Sequence, residues 1–156
     1  MAANGSTYVV ERITTIGAPP AAVYAHVVDF HRWTEWSPWE DVDPDLRRTY
    51  GGPDAGVGAS YAWVGNRKAG QGSMEITAAD APSQLDLDLH FLKPFKAEND
   101  LRFRFDPDGD GTRVTWTMTG QKTFMTKVMG VFMNMDKLVG SDFEKGLDRL
   151  KAVAEA

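Results

Sequence analysis

The chain has no cysteine, and that absence removes disulfide bonds, thiolate nucleophiles and cysteine-ligated zinc from consideration. Histidine is scarce, with only His26, His31 and His90. Two fall on or after one short helical stretch and the third on the charged side of a strand. No metal-binding triad is expected, and each imidazole reads as solvated or locally satisfied. No run approaches the roughly 20 apolar residues that a membrane span needs, and MAANGSTYVV lacks the basic start and long apolar stretch of a secretory signal. Basic runs are also short. Nothing exceeds Arg47-Arg48, and 17 Lys and Arg against 22 Asp and Glu give a net charge of -5. A phosphate-tracking nucleic-acid surface is therefore not expected. These absences point to a soluble, cytoplasmic monomer or homodimer with no metal, cofactor, nucleic-acid partner or integral membrane segment.

What is present is enough for one core. A chain of 156 residues, 42% of them hydrophobic, is the size of an ordinary globular domain, expected over 1–156 as a single unit. TYVVERITTI is rich in Val, Ile and Thr and reads as the first strand. APPAAVYAHVVDF follows, with prolines placed to open a helix and Val23, Val27 and Phe30 at spacings of four and three. FHRWTEWSPWED, at 30–41, then holds three of the five tryptophans. Trp33 and Trp36 share one side, and Ser37-Pro38 ends the helical segment. This stretch is expected to plug one end of a sheet, with Trp36 buried and Trp33 or Trp39 nearer a cavity mouth.

From there the period becomes two. LRRTYGG reads as a short strand, and ASYAWVG and GSMEITAA as a hairpin around NRKAGQ. QLDLDLHF sets Leu85, Leu87, Leu89 and Phe91 against Asp86, Asp88 and His90, and LRFRF sets Leu101, Phe103 and Phe105 against Arg102 and Arg104. The opposite charges predict that these two strands are antiparallel neighbours. DPDGDGTR is a hairpin turn before VTWTMTG; it begins like an EF-hand loop, but Thr117 stands where the bidentate acid is needed and strands flank it. From Thr123 the helical period returns, with Phe132, Met135, Val139, Phe143, Leu147, Leu150 and Ala154 on one stripe. One long C-terminal helix is predicted, with Gly140-Ser141 as the place where it could kink and restart.

Strand, short helical segment, six antiparallel strands and a long helix suggest a curved α+β sheet enclosing a cavity against the helix. At this point the chain resembles the START-like, polyketide-cyclase/dehydrase and lipid-transport (SRPBCC) superfamily. The resemblance is carried by Asp29-Phe30 with Trp33, Trp36, Ser37 and Pro38, by GVGASYAWVGN, by Gly70 and Gly72 before Met74 and Ile76, and by the closing FEKGLDRLK. It implies a helix-grip fold: a seven-stranded curved antiparallel sheet wrapped around a long C-terminal helix, with two short helices after the first strand. It also implies a hydrophobic guest such as a lipid, quinone or polyketide. The superfamily transfers no particular reaction, because its enzymes place catalytic groups differently on one scaffold.

Inward parity and the aromatic content nominate a ligand-binding set. It comprises Trp33, Tyr61, Trp63, Met74, Leu87, Leu89, Phe91 and Asn99, then Phe103, Trp116 and Met118, and the helix-entry residues Phe124, Met125, Phe132 and Met135. Five of the seven methionines crowd between Met118 and Met135, where flexible thioethers suit an adaptable apolar surface as well as a core. Asn99 has the parity of Leu101, so its buried amide needs partners from the protein, from water or from a ligand. No catalytic residue is nominated. Glu75 becomes a candidate acid or base only if it faces inward. GGPDAGVGAS lacks the Lys and the βαβ setting of a phosphate loop and reads as a flexible loop at the cavity mouth. Binding or transport of a hydrophobic molecule between sheet and C-terminal helix is the leading expectation. A polyketide cyclase or dehydrase comes next, and a protein-interaction module third.

Overall fold

A computed structural model describes residues 7–39, 43–66, 70–93, 96–121 and 135–156. Strand β1 runs Thr7–Ile16, helix α1 Pro20–Val27, and a 3-10 helix Phe30–Glu35. Strands β2 (Arg47–Gly51), β3 (Ser60–Val64), β4 (Gln71–Asp80), β5 (Gln84–Lys93), β6 (Ala97–Asp108) and β7 (Gly111–Gln121) follow, and α2 spans Met135–Glu155. The strands form one seven-stranded sheet in the order β1-β7-β6-β5-β4-β3-β2, with every pairing antiparallel. The predicted α+β helix-grip arrangement is the one observed. None of the described helices is long and apolar enough to cross a membrane.

Alternation in the sequence becomes two faces in space. Leu85, Leu87, Leu101, Phe103, Phe105, Val114 and Trp116 are all at most 3% exposed, whereas Glu75, Arg102 and Arg104 face outward. Register shifts between Gln71 and Gly72 and between Ile76 and Ala78 break the β4–β5 ladder, and such bulges bend the strand that carries them. Strands β5 and β6 pair as predicted. Asp86 stands opposite Arg102 and accepts its Nε–H at 2.8 Å. The charge complementarity stops there, because the register puts Asp88 across from Asp100, and Arg104 turns to Gln84 and Asp106. The expected β6–β7 turn is two residues long, with Gly109 at φ +61°.

The tryptophan segment has a role that periodicity does not reveal. A helix leaves its last carbonyls without intrahelical donors. At the end of α1 the Trp36 indole donates to the His26 carbonyl at 2.9 Å and the Trp33 indole to the Val27 carbonyl at 2.7 Å. Two side chains thus cap α1 and bury their rings in one step: Trp36 is 0% and Trp33 2% exposed. Beneath them Trp116 lies between Phe103, 4.8 Å away, and Phe143 of α2, 3.9 Å away with the rings 5° from parallel.

Helix α2 presents Phe143, Leu147 and Leu150 to this core. It runs unbroken through Gly140 and Ser141, so the expected restart there is not observed. Gly140 instead makes room: a Cβ would fall 2.2 Å from the Arg12 guanidinium, which reaches over the helix to Glu144 at 2.7 Å. At the far end, Glu155 accepts from the Gly17 amide at 2.7 Å and pairs with Lys151, whose ammonium also donates to the Thr15 carbonyl at 3.2 Å. The bonds from Lys151 and Gly17 hold the Glu155 carboxyl below its ordinary pKa.

Candidate functional site

Where the aromatic plug stops, the interior opens. A cavity of about 120 Å³ lies between the concave face and the segment that follows the 3-10 helix. Among the described residues one wall is Trp33, Ser37, Trp39 and Leu46. The other is Tyr61 and Trp63 of β3, Met74 of β4, Leu89 and Phe91 of β5, and Leu101 of β6. The strands set this wall by parity. Trp63 lies across from Gly72, where a Cβ would come within 2.6 Å of the indole, and meets Phe91 edge-on at 5.9 Å. Tyr61 stacks between Phe30 at 5.8 Å and Trp63 at 6.1 Å. Leu46 is held by Asp43, a buried carboxylate that accepts from the amides of Asp45 at 2.9 Å and Asn66 at 2.8 Å, tying the loop before β2 to the β3–β4 connection.

Six nominated residues, Trp33, Tyr61, Trp63, Met74, Leu89 and Phe91, therefore meet around one space. Leu87, Phe103, Trp116 and Met118 face the same interior but do not line the cavity; they are packed into the core. Parity says which face a side chain occupies, not whether that part of the interior is filled. Asn99 is buried beside the wall, with Leu89 opposite it in register, and its Oδ1 accepts from the Tyr8 hydroxyl. Phe124, Met125 and Phe132 lie outside the described residues, as does the side chain of Met135. No side chain described in α2 lines the cavity. Beneath the described side chains of α2, Trp36, Trp116 and Phe143 pack against one another; the start of the helix, to which the expected cavity roof also belongs, lies outside the described side chains.

Ser37 and Leu46 escaped sequence reasoning because they sit in aperiodic stretches. Asp142 escaped for a different reason, since the sequence shows it only as part of a capping pattern. The Trp39 indole, on the cavity wall, donates to the Asp142 carboxyl; burial raises the pKa of that carboxyl, against the lowering effects of the indole and of Lys145. Glu75 is exposed on the outer face, so the condition for its candidacy is not met. The glycine-rich 51–58 loop, expected at the cavity mouth, is not among the described residues that line this cavity; it is tied to the core, its Gly56 amide bonding the Val28 carbonyl and Gly58 the Ile76 carbonyl. It edges a separate hollow beside His31 and Tyr50, whose rings stack at 4.1 Å. His31 is held by Asp29 at 2.9 Å and His26 by Glu35 at 3.3 Å.

A family model described as polyketide cyclase / dehydrase and lipid transport matches residues 7–155. The chain belongs to this family. The cyclase/dehydrase and lipid-transport fold is also that of solved structures at low identity. CV1439 from Chromobacterium violaceum has a TM-score of 0.68 at 14% identity, with 97% of this chain and 99% of that one covered. TTHA0849 from Thermus thermophilus has a TM-score of 0.67 at 20% identity, covering 94% and 97%. CalU16 from Micromonospora echinospora has a TM-score of 0.62 at 18% identity, covering 96% and 84%. No curated protein matches the sequence significantly. Identities this low carry the fold of the family and leave the chemistry of the guest to the cavity itself.

Proposed function

We propose that this protein binds or carries a hydrophobic small molecule of the ring-containing kind, quinone-like or polyketide-like, in the cavity bounded by Trp33, Trp39, Tyr61 and Trp63. The observation that carries the reading is a recessed space whose walls, among the described residues, are mostly apolar and aromatic, beside a filled core. Size narrows the guest. A cavity of about 120 Å³ is close to the roughly 150 Å³ that accepts one benzene and below the ~300 Å³ of common drug-sized sites. A compact aromatic fits better than a long acyl chain, and the indole and phenol faces offer stacking. Cytoplasmic location and a single domain over 1–156 belong to the same proposal. Native mass spectrometry with one- and two-ring aromatics, quinones and fatty acids, alongside quenching of tryptophan fluorescence, tests it. Retention of the aromatics is expected, and failure to retain any of them overturns the reading.

One observation favours a second reading, a cyclase or dehydrase. Asp142 is bonded through Trp39 to the cavity wall and its pKa is raised by burial, which sets an ionisable group one side chain away from the guest. Turnover of an aromatic polyketide that disappears in Asp142→Asn while binding persists would favour catalysis; binding without turnover in the native protein favours the carrier.

A further inference from the structure

We infer that Asp142, Gly146 and Arg149 of α2 are positioning residues for the cavity, one stripe that fixes Ser37 and Trp39 in its wall and thereby sets the size of guest it admits. This deepens the binding reading above and rests on it. Ser37 and Trp39 both line the cavity, and the segment they belong to is held residue by residue. The Arg149 guanidinium donates to the Ser37 carbonyl at 3.0 Å. A Cβ on Gly146 would fall 2.8 Å from the Pro38 ring, so glycine is what lets that ring lie against the helix. The Asp142 carboxyl accepts from the Trp39 indole. Residues 142, 146 and 149 are four and three apart and share one face of a helix, with Ser37-Pro38-Trp39 running antiparallel along it.

This stripe lies one residue before the buried stripe of Phe143, Leu147 and Leu150, so one helix both fills the core and holds the wall beside it. No side chain described in α2 lines the cavity, yet two wall residues are tied to it. The Trp39 ring meets Trp116 and Phe143 edge-on at 6.0 and 6.3 Å, and its amide reaches the Ser37 hydroxyl at 3.4 Å. An indole has a single N–H and donates in one direction, so the bond to Asp142 fixes how the ring stands as well as where. A wall ordered before the guest arrives spares the guest the cost of ordering a side chain, which is worth roughly two- to ten-fold in affinity. It also keeps a cavity of about 120 Å³ from widening for a larger molecule.

The test uses benzene and naphthalene, which differ by one fused ring. Binding of each is measured by calorimetry to the native protein, to Asp142→Ala and to Asp142→Asn. Asp142→Ala releases the indole: benzene must then order it on binding, whereas naphthalene takes the room it vacates. The ratio of the two affinities is therefore expected to move about five-fold toward naphthalene in Asp142→Ala. It should stay near the native value in Asp142→Asn, whose amide oxygen still accepts from Trp39. A role in stability alone would lower the melting temperature without moving the ratio, so an unmoved ratio in Asp142→Ala overturns the positioning role and leaves the cavity reading standing. An equal shift in both variants overturns it too, because the bond to the indole is then not what holds the wall. Should Asp142→Ala not fold, Arg149→Met removes the donor to Ser37 and carries the same expected shift, and an unmoved ratio there is equally fatal. Binding of neither probe to the native protein overturns the cavity reading itself, and the positioning role with it.

Discussion

Trp36 illustrates how one side chain serves packing and hydrogen bonding together. Its ring is fully buried against Phe103 and Trp116 while its indole N–H caps α1 at His26. Trp36→Ala is expected to cost about 3–5 kcal/mol through lost burial and cavity formation. Trp36→Phe keeps most of the ring but strands the carbonyl, at about 1–3 kcal/mol. Urea denaturation of both variants separates the two contributions, and a neutral Trp36→Phe would show that the cap is dispensable. Asp142 gives a prediction of opposite sign. Its pKa is raised in the folded state, so the favourable contribution is complete below the unfolded carboxyl value, near ~3.9, and is lost as pH rises through the folded value. Asp142→Asn, which can still accept from Trp39, should be slightly more stable than the native protein at pH 7. The gap should close toward pH 4, and a less stable Asn variant at pH 7 would mean that the charged form is the favoured one.

At the scale of elements, the seating of α2 is set by two small residues with different neighbours. A Cβ on Gly146 would lie 2.8 Å from the rigid ring of Pro38 and 3.1 Å from Trp116, whereas a Cβ on Gly140 would meet the mobile end of Arg12. Alanine relieves the intrinsic penalty of helical glycine, about 1 kcal/mol, at both positions. Gly140→Ala should therefore be nearly neutral, with the helix gain offsetting a loosened Arg12–Glu144 pair worth ~1 kcal/mol or less. Gly146→Ala should be net destabilising by about 1–2 kcal/mol, since overpacking against Pro38 and Trp116 exceeds the gain. Thermal melts of the pair check the contrast, and equal effects would show that the Pro38 contact relaxes freely. Across the sheet, Arg102→Ala tests the charge pattern that identified β5 and β6 as neighbours. The Asp86 pair is on the outer face, so a loss of no more than ~1 kcal/mol is expected and the register should persist.

For the whole molecule, the decisive question is how one interior is divided between core and cavity. Among the described residues, the part beneath α2 is filled by Trp36, Trp116, Phe103 and Phe143, and the part toward β3–β5 is left partly open. Met74, on the wall of the open half and 6% exposed, allows the division to be shifted. Met74→Phe places a ring in the space and is expected to abolish binding of a compact aromatic probe while holding or raising the melting temperature, as cavity-filling changes commonly do. Undiminished binding in a folded Met74→Phe would place the guest elsewhere.

Alternation in the sequence determined the strands, their inward faces and the β5–β6 partnership, because a half-buried strand repeats every two residues and a one-residue slip would expose its whole apolar set. Helical spacing in the same way determined the stripe of Phe143, Leu147 and Leu150. Spacing also placed Leu89 and Phe91 on the inward face of their strand and set Tyr61 and Trp63 together on one face of theirs. It did not separate them from Leu87, Phe103 and Trp116, since wall and filler share one parity. That separation was decided by tertiary structure, through contacts between side chains remote in sequence. Phe143 stacks on Trp116, the Trp36 and Trp33 indoles cap α1, Asp43 clips Leu46 beside the β3–β4 connection, and Tyr8 fixes the Asn99 amide across 91 residues. Periodicity is a local property of the chain and reports which face is dry; whether the dry space is full depends on volumes delivered by distant segments, which only the folded packing brings together.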